Sequence, residues 1–172
     1  GGTTSKLEVA KKIFTWVRDN FTCTDPSRRM MDQTLKNLIK SRKGSVAEIN
    51  LLLTAMLVQE DIQACPVLLS TRSNGLVYSL YPVLSQYNYV VSRAILGKDT
   101  FYLDASEPLL GVNRLPLRYY NEEARVISEK AEVVSFSADA LTETKYTTVF
   151  LVNNEKGKLV GSLTQTPGYY ES

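Results

Sequence analysis

Apolar residues in the first sixty positions recur at helical spacing, and beyond them the period contracts to two. Leu7, Ala10, Ile13, Phe14, Val17 and Phe21 fall three or four apart, with Lys and Arg on the opposite face. That spacing predicts an amphipathic helix over 5–20, with Trp16 bordering the apolar stripe. The polar stretch 22–31, around Asp25-Pro26-Ser27, reads as a loop, and a shorter helix at 33–41 is expected to carry Leu35, Leu38 and Ile39 inward. Gly44 then breaks the chain.

The segment 46–60 is the strongest element. Ile49, Leu51, Leu52, Leu53, Ala55, Met56, Leu57 and Val58 make it apolar almost all round, which predicts a buried central helix. Ser45-Val46-Ala47-Glu48 marks its start with the pattern of a capping box, Ser45 at the N-cap and Glu48 reaching back from the third helical position.

Strands are expected at Ile62–Ser70, at Tyr87–Leu96 and, after the tight turn Gly97-Lys98-Asp99, at Thr100–Ala105. The long loop 71–86 contains Asn74-Gly75 and Tyr81-Pro82. Loops of that length in a compact domain are often functional. Its Tyr78 and Tyr81 suit a recognition surface, the alternative being that both rings pack over the sheet. Beyond Leu115-Pro116 the pattern loosens. Residues 124–138 look like strand, as do 146–153 and 158–165, which Asn154-Glu155-Lys156-Gly157 joins. The division expected is a main domain over 1–130 and a β-strand tail over 131–172, the start of a further β domain.

Composition narrows the chemistry. At 172 residues and 44% hydrophobic the chain can bury a sizeable core. Its net charge of +2 carries no nucleic-acid stripe. The densest basic stretch, Lys36, Lys40, Arg42 and Lys43, lies near a predicted helix end, where cations complement the dipole. No run is long or apolar enough to span a membrane. The two cysteines, Cys23 and Cys65, read as buried thiols rather than a disulfide scaffold.

The chain has no histidine. Imidazole is the usual general base near neutral pH and the commonest protein metal ligand. Its absence excludes Ser-His-Asp and Cys-His chemistry within this chain, and two cysteines cannot close a structural zinc site. No metal or other cofactor is expected.

Three short motifs fall in order on these elements: Gly44-Ser45-Val46-Ala47-Glu48 at the helix start, Asn88-Tyr89-Val90 on the second strand, and Leu103-Asp104-Ala105-Ser106 at the end of the third. Together with helices followed by antiparallel strands, they resemble the transglutaminase-like, papain-related superfamily. The resemblance covers roughly residues 5–130, and is strongest to such domains in large secreted or periplasmic bacterial proteins, which are commonly flanked by β domains. It implies an α+β fold, a transglutaminase-like core with a buried central helix packed on an antiparallel sheet.

In that family a cysteine at the central helix N-terminus is the nucleophile, a histidine on a following strand is the base, and an aspartate on the next strand orients it. The resemblance places Val46 at the nucleophile position, Tyr89 at the histidine position and Asp104 at the retained acid. Valine has no ionisable group, and a tyrosine with a reference pKa of ~10 is a poor base at neutral pH. The expectation is a pseudoenzyme: a binding or structural module of a larger extracytoplasmic bacterial protein. Its groove would hold a peptide, a protein segment or a glycan, with Ser45, Glu48, Tyr78, Tyr81, Tyr87 and Asn88 as candidate lining. A duller version makes the domain a spacer between β domains. The rival reading is a hydrolase with other chemistry, in which Glu48 and Asp104 form a carboxylate pair at the roughly 5–9.5 Å separation of glycosidases. It requires one raised pKa and fails if Glu48 folds back on its own helix cap.

Overall fold

The computed structural model describes residues 5–139, 141–142 and 144–168. Helix α1 (Lys6–Asn20) is capped by Ser5, whose hydroxyl accepts from the Glu8 amide, and buries Ala10, Ile13, Phe14 and Val17. The stretch expected to be loop instead opens with a short strand, β1 (Thr22–Asp25), which pairs in parallel with β2 (Lys43–Ser45). Both strands are too short and polar to show a period-two signal. Between them α2 (Leu35–Ser41) starts at the Thr34 cap and buries Leu38. Ile39, expected to face inward, is 45% exposed. In so short a helix one turn of contact suffices, and Leu38 with the half-buried Leu35 supplies it.

Helix α3 (Val46–Gln59) is the central element, buried from its first residue, with only its last turns emerging at Ala55 and Val58. It packs on a five-stranded antiparallel sheet of order β5-β4-β3-β6-β7. The strands are β3 (Gln63–Leu69), β4 (Tyr89–Leu96), β5 (Asp99–Leu103), β6 (Glu122–Val126) and β7 (Val133–Phe136). Gly97 at φ +68° provides the left-handed residue of the two-residue β4–β5 turn.

Alternation along the strands feeds two cores. Ala64, Ala94, Phe101 and Leu103 join α1 and α3 in one cluster. Cys65, Val67, Leu69, Tyr89, Val91, Tyr102, Ala124, Val126 and Phe136 point the other way, into a second cluster with Leu115, Tyr119 and Val46. The first residue of the central helix therefore packs in the second core, while Ile49, Leu52 and Leu53 pack in the first.

The stretch 124–138 resolves into the β6–β7 hairpin, closed by the Val126–Glu132 backbone bond and the Ser128–Ala131 turn. Because β7 belongs to the main sheet, the first compact unit reaches Ala138, beyond the boundary of 130 expected from the sequence. The second unit contains a hairpin, β8 (Tyr146–Asn153) with β9 (Leu159–Thr166), in register from Tyr146↔Thr166 to Asn153↔Leu159. Asn154 builds its turn by accepting from the Lys156 and Lys158 amides through Oδ1.

Candidate functional site

The start of α3 is fixed by mutual capping. Ser45 Oγ accepts from the Glu48 amide at 3.3 Å, and Glu48 Oε2 accepts from the Ser45 amide at 2.9 Å. Glu48 also ties in the preceding loop: Oε1 accepts from the Asp32 and Gln33 amides at 2.8 and 3.0 Å, and Oε2 from Gln33 Nε2 at 3.0 Å. Burial works to raise the pKa of this carboxyl, but the hydrogen bonds from the Gln33 side chain and from the Ser45, Asp32 and Gln33 backbones outweigh it and hold the pKa below the usual value. Gly44 is needed for space: a Cβ there would lie 2.5 Å from Leu38 Cδ1 and 2.6 Å from Glu48 Oε2. Glu48 thus folds back on its own cap, the arrangement under which the carboxylate-pair reading fails.

Asp104, immediately after β5, is the centre of the buried polar network. Its Oδ1 accepts from Asn50 Nδ2 (2.8 Å), Ser106 N (2.9 Å) and Ser106 Oγ (2.6 Å), and its Oδ2 from the hydroxyls of Tyr89 (3.0 Å) and Tyr119 (2.8 Å). Asn50 is itself saturated, donating also to Val90 O at 2.9 Å and accepting from the Ala105 amide at 2.9 Å. The Tyr89 and Tyr119 rings lie 4.5 Å apart, centroid to centroid, tilted by 39°. Arg118 stacks over the outer side of Tyr119 at 4.9 Å, donates to its hydroxyl at 3.2 Å and pairs with Glu107.

The three positions picked out by the resemblance therefore lie together around the start of α3. Tyr89 bonds to Asp104, and Val46 packs in the same cluster as Tyr89 and Tyr119. Their solvent exposure decides what they can do: Val46 and Tyr119 are 0% exposed, Asp104 1% and Tyr89 3%. Burial, then the adjoining Asp104, pushes both phenols well above the ordinary tyrosine value, so each is a neutral donor rather than a base at neutral pH. Cys23 on β1 is half-buried and packs against this second core. Burial raises its thiol to about 11, with the Asp104, Glu107 and Asp25 charges acting in the same direction, against one backbone hydrogen bond. It is the opposite of an activated nucleophile. Both cysteines are free thiols, as expected, and only partly buried where burial was expected.

The expected lining residues separate into two groups. Ser45 and Glu48 are buried apart from a fringe bordering a polar hollow of about 220 Å³, shared with Asp25, Arg28, Asp32 and Lys43. Tyr87 is buried, its hydroxyl meeting Arg125 Nε at 3.3 Å, so it lines no open groove. Asn88 is half-buried and spent on Thr71, accepting from its amide at 2.8 Å and donating to its hydroxyl at 2.9 Å. Tyr78 and Tyr81 do not pack over the sheet: they are 58% and 75% exposed, their rings nearly parallel at 6.2 Å. Among the described residues, no group of three or more Cys, Asp or Glu is placed to hold a metal ion, and no helix is long and apolar enough to cross a membrane.

Asn50 and Tyr119 escape a reading of the sequence, although both bond to Asp104. Asn50 left a trace: with Thr54 it forms a polar i, i+4 pair inside an otherwise apolar helix, and both side chains are buried against β4, Thr54 bonding to Ser92 at 2.8 Å. Tyr119 left none, sitting in a 3-10 turn (Leu117–Tyr119) within the loosely patterned stretch after β5.

Comparison with known proteins bears on the family and the fold. No curated protein matches the chain. The crystal structure of a "putative protease" from Parabacteroides distasonis ATCC 8503 aligns with a TM-score of 0.60 at 16% identity, over 81% of this chain and 26% of that one. The chain thus spans about a quarter of that structure's length, and the likeness is one of fold. The model of the transglutaminase-like superfamily matches residues 1–99, which include all of α3 and β4. More than half of the sequence lies within that match, and the chain belongs to the transglutaminase-like superfamily.

Proposed function

We propose that this domain is a non-catalytic member of its superfamily, a binding or structural module within a larger extracytoplasmic bacterial protein. The observation that carries the reading is the state of Asp104. In the family such an acid orients an imidazole that must exchange protons with substrate. Here its two oxygens receive five protein donors in a site whose residues are at most 7% exposed, and the helix terminus beside it presents a buried valine. A carboxylate so engaged stabilises a fold and has no capacity left for a reacting group.

The extracytoplasmic, bacterial setting rests on the family resemblance and on the bacterial origin of the solved neighbour. Flanking β domains of the same polypeptide are part of the same proposal. A role as a spacer is the minimal form of this reading; an exposed recognition loop favours binding.

The test is an assay of the purified chain for peptide hydrolysis and for incorporation of a primary amine into a glutamine-containing protein. Neither activity is expected at neutral pH, and Ser45→Ala should leave that result unchanged. Turnover that disappears in Ser45→Ala would overturn the reading.

A further inference from the structure

The loop between β3 and β4 is closed at its base by one carboxamide. Asn74 ends the 3-10 turn Arg72–Asn74, and its Nδ2 donates to Ser70 Oγ and to Gln86 O, each at 2.9 Å. Ser70 directly follows β3 and Gln86 shortly precedes β4, so this single group joins the two ends of the loop. The next residue completes the tie: Gly75 O accepts from Ser70 Oγ at 2.6 Å and from Asn121 Nδ2 at 2.8 Å. Ser70 gives its proton to Gly75, and Gln86 meets Asn74 with a carbonyl. The base therefore needs donors from residue 74 and has no hydrogen to offer it in return.

Asn74-Gly75 is also a sequence prone to losing a carboxamide, because glycine does not hinder attack by its own nitrogen. Gly75 is exposed at φ +98°, and a Cβ there would meet nothing within 4 Å. The reaction needs only water. The Gly75 nitrogen gives up its proton and bonds to Asn74 Cγ; the Cγ–Nδ2 bond breaks and ammonia departs with that proton. Water then opens the cyclic imide to an aspartate or to an isoaspartyl link, and nothing is oxidised or reduced. The two Nδ2 bonds oppose the rotation that brings Cγ onto the Gly75 nitrogen, so the step proceeds from molecules in which the base has opened.

The product cannot rebuild the tie. A carboxylate at position 74 accepts and does not donate. Closing the base would set it against Gln86 O and the Ser70 oxygen with no proton between them, a desolvated contact without a hydrogen bond.

We propose that Asn74 is a self-modification site that acts as a ratchet on this loop: opening of the base admits attack by Gly75, and the acidic product prevents the base from closing again. The segment that carries the exposed Leu76, Tyr78, Leu80 and Tyr81 passes in this way from an anchored to a loosened state.

The test is peptide mapping by mass spectrometry of the purified chain held in mildly alkaline buffer. Trypsin releases Ser73–Arg93, which contains both Asn74 and Asn88. The expected result is a gain of one dalton that fragmentation places at Asn74 and not at Asn88, which is bonded to Thr71 and followed by Tyr89. The gain should be fastest in urea, slower in Asn121→Ala and slowest in the wild-type fold. Asn121→Ala should convert about fivefold faster than wild type, the scale of one hydrogen bond lost from the closed base. Asn74→Asp, made directly, should keep the wild-type circular dichroism and be cut by chymotrypsin after Tyr78 at least about tenfold faster than wild type. No gain at Asn74 in the folded chain while the urea sample converts, a rate indifferent to Asn121→Ala, or an Asn74→Asp loop as resistant as the wild type would each overturn the inference.

Discussion

Asn50, on the buried face of the central helix, donates to Asp104 Oδ1 at 2.8 Å and accepts from the amide of the next residue, Ala105, at 2.9 Å. With its second bond to Val90 O, one carboxamide ties α3 to β4 and to the segment that follows β5. Asn50→Leu would leave a carboxylate oxygen, a backbone carbonyl and an amide short of a partner in the interior. We expect a loss of about 3 kcal/mol, the scale of a buried network broken on one side. The check is urea unfolding; a loss within about 0.5 kcal/mol, the range of neutral surface substitutions, would refute it.

Tyr89 and Tyr119 share the other Asp104 oxygen. Either phenol replaced by phenylalanine leaves Oδ2 one remaining donor; both replaced leaves it none. Each single substitution is expected to cost about 1–2 kcal/mol, and the double variant more than the sum of the two. Strict additivity in a double-mutant cycle would show that the hydroxyls act independently of Asp104.

Ser45→Ala removes the hydroxyl half of the capping box and should lower stability by about 1 kcal/mol. Its partner Glu48 gives the pH dependence. A pKa lower in the folded chain than in the unfolded one means that folding binds the ionised form more tightly. The stabilisation is therefore full above the ordinary Glu value of about 4.3, and disappears as pH falls through the lower folded value. The stability gap between wild type and Glu48→Gln, read from urea midpoints, should be largest at neutral pH and narrow in acid. A gap that widens in acid would reverse the assigned direction.

Val46→Cys places the residue type that the resemblance implies for a nucleophile at a position with no solvent exposure. With Cys23 and Cys65 replaced by Ala, the introduced thiol should react with a soluble disulfide reagent at least about 100-fold more slowly in the folded chain than in urea, because labelling waits for a local opening. Immediate labelling of the folded chain would show that the helix terminus is open to solvent.

The capping box, the central helix and the strand pairs β3, β4 and β5 were legible because each writes its own local pattern: Ser45 three residues before Glu48, an apolar surface all round α3, alternation broken at Gly97. Strand β1 was not, since Thr22–Asp25 gains its pairing from a parallel neighbour after α2 and carries no alternation of its own. Ile39 was misplaced because seven residues of helix define no unique apolar face. At the site, Asp104 stood out through its motif and Tyr89 through its neighbours, whereas Tyr119 reaches Asp104 only through a loop whose path no local rule sets. The tyrosines at 78 and 81 were visible as candidates, whereas the base beneath them, where Asn74 bonds to Ser70 Oγ and Gln86 O and Asn121 to Gly75 O, joins residues that no local pattern connects.

The partners of Asp104 come from α3, from β4, from its own turn and from the 3-10 turn beyond. A tie among segments so far apart along the chain can close only after the strands between them have paired, which places it late on the route to the native state. Its energy should then reside mainly in the barrier to leaving that state. Removing the Tyr119 hydroxyl is expected to hasten unfolding while leaving the refolding rate nearly unchanged. On the proposed reading, the position to which the resemblance assigns a part in turnover would in this chain set how long a folded molecule lasts.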